Sequence, residues 1–192
     1  MTLRPGSAAL VMLLAILTAM GPLSTDMYLP SLPAIGRAFA TDAGQVQLTL
    51  SVFLVGFALG QIIYGPVADL YGRKPVLLAG LTLFIAASIG CMVATSIGAL
   101  IAARFIQAVG ACAAVVLARA IVRDLHSSED SARILSLMGA IMGLVPAIAP
   151  IIGAVLEQAF GWRASFALSA VLAFALALVV TVWVPETLPG GT

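Results

Sequence analysis

Six apolar runs, each about as long as a bilayer is thick and joined by short polar turns, decide what this chain can fold into. A helix rises 1.5 Å per residue, so about 20 apolar residues cross the hydrocarbon core. The runs extend from about Ala8 to Tyr28, Val46 to Ala68, Pro75 to Ala94, Ile97 to Val122, Ile134 to Phe160 and Ala164 to Val184. In lipid every backbone polar group must be satisfied internally, and helices do this within each segment. The expectation is an all-α membrane protein of six transmembrane helices, one bundle over residues 1–192.

Composition agrees. Apolar residues make up 62% of the chain and charged ones 9%, where a soluble domain carries roughly a quarter. The formal net charge of +1 gives no reason to invoke nucleic acid or an acidic partner. Cys91 and Cys112 lie inside apolar runs and read as packing residues, with neither disulfide nor metal-site spacing. The single histidine, His126, falls in a charged loop and reads as solvated. Arg4 ahead of the first apolar run has the shape of a secretory leader. No small-x-small cleavage site follows, so the run is read as a retained first helix.

Basic residues give the orientation. Arg4, Arg73, Lys74, Arg119, Arg123 and Arg133 fall on one side of the bundle, Arg37 and Arg163 on the other, which places both termini in the cytoplasm. Small residues at four-residue spacing, Gly56/Gly60 and Gly139/Gly143, are expected where helix backbones approach closely.

Two charges stand inside apolar runs. Arg104 is roughly 10 Å below the outer boundary of its helix and Asp26 about 5 Å below that of its own. A charge in hydrocarbon costs several kcal/mol, so such residues face a cavity or a partner. The depths suit a water-lined Asp26–Arg104 pair. Two interfacial readings stay open beside it: the first helix ends near Gly21–Pro22 and leaves Asp26 in a loop, and Arg104 snorkels outward. If the six helices form two triplets of inverted topology, the first and fourth are equivalent and each brings one charge to the centre. An aspartate beside an arginine holds its proton less tightly, and separating the two lets it take one up.

The turn Gly65-Pro66-Val67-Ala68-Asp69-Leu70-Tyr71-Gly72-Arg73-Lys74 resembles the signature between helices two and three of the major facilitator superfamily. Gly65 is expected to allow close helix approach and Gly72 the tight turn. Asp69 is suited to capping a helix N-terminus, and Arg73 and Lys74 to anchoring the cytoplasmic face. Leu70 stands where the family often has Arg. Arg104, Gln107 and Gly110 match the family's fourth-helix motif. Gly143, Pro146, Ala149-Pro150 and Gly153 resemble its antiporter motif on helix five, with alanines at 149 and 154 where glycines are common; an ordinary proline kink is the other reading. Ser24-Thr25-Asp26-Met27-Tyr28-Leu29-Pro30, Gln47-Leu48-Thr49-Leu50-Ser51, Arg119-Ala120-Ile121-Val122-Arg123-Asp124 and Trp162-Arg163 are similar to the Bcr/CflA drug-resistance exporters.

The resemblance covers essentially the whole chain. It implies one half of a major facilitator fold, with proton-driven export of bicyclomycin- and chloramphenicol-like compounds from the bacterial inner membrane. It implies no metal or organic cofactor. Asp26 and Arg104, by their depth and opposite charge, are the expected proton-coupling residues. Tyr28, Gln61 and Gln107, polar or amphipathic groups in apolar helices, are the expected cargo contacts. The family has two six-helix halves, so the chain is expected to be a truncated carrier, one half of a split one, or a homodimer, with truncation preferred. Three rival functions remain: an intramembrane serine protease, which lacks a Gly-x-Ser-x-Gly turn here, a non-transporting membrane subunit, and a carrier of a sugar or metabolite.

Overall fold

The computed structural model describes residues 7–188. Its helices are α1 (Ala8–Asp26), α2 (Leu32–Ala38), α3 (Ala43–Tyr71), α4 (Arg73–Met92), α5 (Ile97–Leu125), α6 (Ser128–Phe160) and α7 (Arg163–Trp183). A 3₁₀ turn, Leu29–Ser31, joins α1 to α2. The six long helices are each long and apolar enough to cross a membrane.

The starts and stops follow local chemistry. Ser7, Asp42, Ser96 and Ser127 each accept a hydrogen bond from a backbone N–H of the first turn that follows them, capping α1, α3, α5 and α6. Gly72 (φ +97°) breaks the chain between α3 and α4, and Gly161 (φ +82°) between α6 and α7. Two expectations shift. The stretch between the first two apolar runs is more than a short polar turn; it continues as the 3₁₀ turn and α2. The fifth helix starts at Ser128 rather than near Ile134, because Ser127 and the acidic first turn Glu129–Asp130 suit a helix N-terminus.

Helix α5 is the axis of the bundle, buried over much of its length by α3, α4 and α1. Small residues make this possible. A Cβ at Gly56 would stand 2.7 Å from the Phe105 carbonyl oxygen, and one at Gly60 would stand 2.8 Å from Cys112 Cβ. That is the close approach expected of this pair. Gly139, Gly143 and Gly65 behave differently: apart from the adjoining backbone of their own helix, no atom of the described residues lies within 4 Å of a Cβ built there. Their faces of α6 and α3 are open rather than packed. Helix α4 packs on α5 and α7, and α6 lies along α1.

Candidate functional site

The end of α1 is where the bundle's polar groups converge. Met27 and Tyr28 continue helical geometry past Asp26, so Asp26 and Tyr28 are about 200° apart around the axis. Tyr28 turns inward and is fully buried; Asp26 turns away and is half-buried. The expected Asp26–Arg104 pair is therefore not formed. Among the described residues no carboxylate lies within 4.0 Å of Arg104.

Arg104 is 0% exposed, so the snorkelling alternative fails as well. Its guanidinium carbon lies 4.2 Å from the ring centre of Phe53, 4.6 Å from that of Tyr28 and 5.8 Å from that of Phe166. One Nη1 hydrogen goes to Gln107 Oε1 (2.7 Å), and Gln107 Nε2 donates in turn to Ser88 Oγ (2.8 Å). The Tyr28 hydroxyl donates to Thr49 Oγ1 (2.7 Å), because the Thr49 hydrogen is committed to the Val46 carbonyl (2.6 Å). These contacts tie α3, α4, α5, α7 and the end of α1 to one cation. Its Nε and Nη2 have no partner among the described residues. A cation–π contact is worth about 0.5–2 kcal/mol, and each buried unpaired donor costs roughly 1–3 kcal/mol. The cage holds the charge without neutralising it.

The same stretch of α1 grips α6. A Cβ at Gly153 would collide with the backbone carbonyl of Met27, and Ser165 Oγ on α7 donates to that carbonyl (3.3 Å). Ala149 packs with Ala19, Met27 and Val145 beside it. Pro146 and Pro150 each remove one N–H from the α6 ladder just before this contact. Asp26, Met27 and Tyr28 thus bring the three expected parts together along three consecutive residues: the carboxylate, the α6 motif and the buried cation.

The cargo candidates separate. Tyr28 and Gln107 present no surface, being committed to Arg104, Thr49 and Ser88. Gln61 is exposed and lines an open groove of about 230 Å³ with Val115, Arg119, Arg123 and Leu135. Arg119 is the residue that sequence reasoning missed as a site residue, having used it for orientation and within the Arg119–Asp124 motif but given it no role. It also borders a second hollow with Thr18 and Met142, where its Nη2 approaches Met142 Sδ at 4.0 Å. The signal was available: Arg119 stands about 9 Å inside the end of α5, on one helical face with Val115 and Arg123.

At the basic end, Arg73 binds Asp69 (2.6 Å) and Asp124 (3.0 Å). Asp69 is 61% exposed. The N-terminus of α4 is held by Glu186, which accepts from the backbone N–H groups of Arg73 (2.9 Å) and Lys74 (3.2 Å). Gly72 leaves room for that carboxylate: a Cβ there would stand 2.5 Å from Glu186 Oε2. Lys74 Nζ donates to the Thr181 carbonyl of α7 (2.8 Å). Burial alone would raise the Glu186 carboxyl. The backbone N–H groups of Leu188, Arg73, Thr187 and Lys74 outweigh that and hold it below the usual carboxylate range. His126 Nδ1 donates to the Val122 carbonyl (3.0 Å), and among the described residues no serine hydroxyl bonds to its ring, so these residues form no serine–histidine dyad.

Known proteins share this architecture. The family model described as Major Facilitator Superfamily matches residues 14–192. The MFS-type transporter YdgK of Bacillus subtilis strain 168, itself uncharacterized, is 41% identical over 183 residues, which are 94% of this chain and 46% of that protein. A chloramphenicol resistance protein of Pseudomonas aeruginosa is 39% identical over 165 residues, 85% of this chain and 39% of that one. In structure, the proton:xylose symporter XylE superposes with a TM-score of 0.79 at 15% identity, over 94% of this chain and 46% of that one. The chain spans about half the length of the proteins it matches, or somewhat less.

Proposed function

This chain belongs to the Major Facilitator Superfamily of membrane transporters, its six helices forming the N-terminal half of that fold, and from this we propose that it works as half of a proton-driven exporter of small lipophilic drugs. Relatives named for chloramphenicol and bicyclomycin resistance support the cargo class. The complete carrier pairs this bundle with a second six-helix bundle across the open faces of α3 and α6, in a bacterial inner membrane, with both ends of this half in the cytoplasm.

One observation carries the mechanism: a fully buried Arg104 with no counter-ion among the described residues, bracing the same turn of α1 that bears Asp26. Asp26 is the proton carrier. Arg104 acts through Tyr28, fixing the orientation of that turn, and Gly153 of α6 rests on it from the other side. Protonation of Asp26 removes a charge at the α1–α6 contact and changes how α6 packs. Cargo lies against Gln61 and Arg119 on the open face, with Met142 and Leu135 as its apolar wall. Tyr28 and Gln107 position Arg104; opening of the cage is required before either touches cargo.

The test is drug-stimulated proton movement in proteoliposomes holding this chain with a matching C-terminal half. Asp26→Asn should abolish the proton movement while cargo binding persists. Unchanged proton coupling in that variant sinks the assignment and favours a scaffolding role.

A further inference from the structure

A groove of about 810 Å³ opens between α1 and α6 at the basic end of the bundle. Its walls are Val11 and Met12 on one side and Ile134, Leu137 and Ile141 on the other, with Asp130 and Arg133 at its mouth. It is not the face assigned to cargo. Gln61 and Arg119 border α6 through Leu135 and Met142, one residue on from Ile134 and Ile141, hence about 100° further round that helix. The groove therefore opens on the flank of α6 away from them.

Asp130 and Arg133 are three residues apart on one helix, the spacing at which opposite charges normally meet. They do not. Asp130 is held by the cap of α6: its carboxylate accepts from Ser127 Oγ (2.9 Å), and its own N–H donates to that oxygen (3.2 Å). Arg133 has no carboxylate within 4.0 Å among the described residues. His126 also lines the groove, its Nε2 without a partner among the described residues.

The order of groups along α6, from the end of the helix inward, is anion, cation, apolar wall. Asp130 comes first, Arg133 stands about 4.5 Å deeper, and Leu137 and Ile141 follow over the next two turns. We propose that this groove is a binding site for a zwitterionic aminophospholipid, with the phosphate on Arg133, the outer ammonium on Asp130 and one acyl chain along Leu137 and Ile141. The headgroup matches in sequence of charge as well as in sum. Its ammonium lies outward of its phosphate, and its net charge of zero meets a mouth whose two charges also cancel. Phosphatidylglycerol carries the same phosphate but no ammonium to pair with Asp130. A trimethylated ammonium has no N–H to donate to it.

The test is native mass spectrometry of the purified full chain, titrated separately with dioleoyl phosphatidylethanolamine, phosphatidylglycerol and phosphatidylcholine. One phosphatidylethanolamine per chain should bind at least about 5-fold more tightly than either other lipid, the size of one charge-assisted hydrogen bond. Arg133→Ala should weaken it about 10-fold and Arg133→Lys far less. Asp130→Asn should lower phosphatidylethanolamine to the level of phosphatidylcholine and leave phosphatidylcholine unchanged. Leu137→Trp, which fills the groove and keeps both charges, should weaken all three lipids. Equal binding of the three by the unaltered chain would mean annular lipid only and overturn the proposal. So would a preference for phosphatidylglycerol, or Arg133→Ala binding as the parent does. Each variant is scored only as a monodisperse peak with parental helicity, and Arg133→Lys with Leu137→Trp still decide the matter if Arg133→Ala fails to fold.

Discussion

Arg104 is the most expensive side chain in the bundle to bury, and it is buried completely. Replacing a buried charge by an apolar group of similar volume is often neutral or stabilising. Arg104→Met should therefore keep or raise the unfolding temperature, while transport by the assembled carrier falls at least about 100-fold, as for a group whose loss removes the coupling step. A lowered unfolding temperature in that variant would make Arg104 a structural residue. That a charge at 104 mattered was legible in the sequence, because it interrupts an apolar run. Its surroundings were not: Tyr28, Phe53 and Phe166 come from three separate parts of the chain, and only packing joins them. Pairing Asp26 with Arg104 by opposite sign and similar depth overlooked the 100° turned per residue, which aims Tyr28 and not Asp26 at the cation.

Glu186 makes the second residue-scale prediction. Its folded carboxyl titrates below the ordinary value of 4.5, so its stabilisation is complete above that value and is lost as pH falls through the lower, folded one. Glu186→Gln should cost about 0.3–1 kcal/mol at neutral pH, since the group is largely exposed and screened. The gap between the two proteins should close on acidification. Unfolding temperatures of both, measured from neutral pH to below the carboxylate range, check this. No sequence window could reveal the cap, because Glu186 lies 113 residues from the Arg73 N–H it accepts from.

At the scale of elements, α6 lies along α1, with backbones in contact at Gly153 and an open face at Gly143. Gly153 meets the Met27 backbone, whereas nothing lies within 4 Å of a Cβ at Gly143. Gly153→Val should lower the unfolding temperature and transport together, since it forces apart helices whose backbones are in contact, at a cost of about 1–3 kcal/mol. Gly143→Ala should leave stability unchanged or slightly raised, by Ala's higher helix propensity. Thermal unfolding of both in the same detergent separates them. Glycine at four-residue spacing marks possible close approach in a sequence. It does not tell which glycines meet a neighbour, and Gly56/Gly60 and Gly139/Gly143 fall on opposite sides of that line. Helix number and order followed from apolar length alone. The added turn of α6 and the 3₁₀–α2 continuation of α1 did not, because capping and proline geometry, not hydropathy, set those ends.

At the scale of the whole molecule, the bundle has a buried axis in α5 and wide apolar exposure on α3 and α6, where Ile62, Leu54, Leu144 and Ile151 are all exposed. If the chain is half of a carrier, part of that exposure faces a second bundle, and the coupling turn of α1 works only inside the pair. Drug-stimulated proton flux in proteoliposomes tests this, comparing the chain alone with the chain assembled with a C-terminal half. No flux is expected from the chain alone. The assembly should show flux driven by a proton gradient, and Asp26→Asn should remove it. Equal flux from the chain alone, or an assembly that keeps its proton coupling without Asp26, would overturn the half-carrier mechanism.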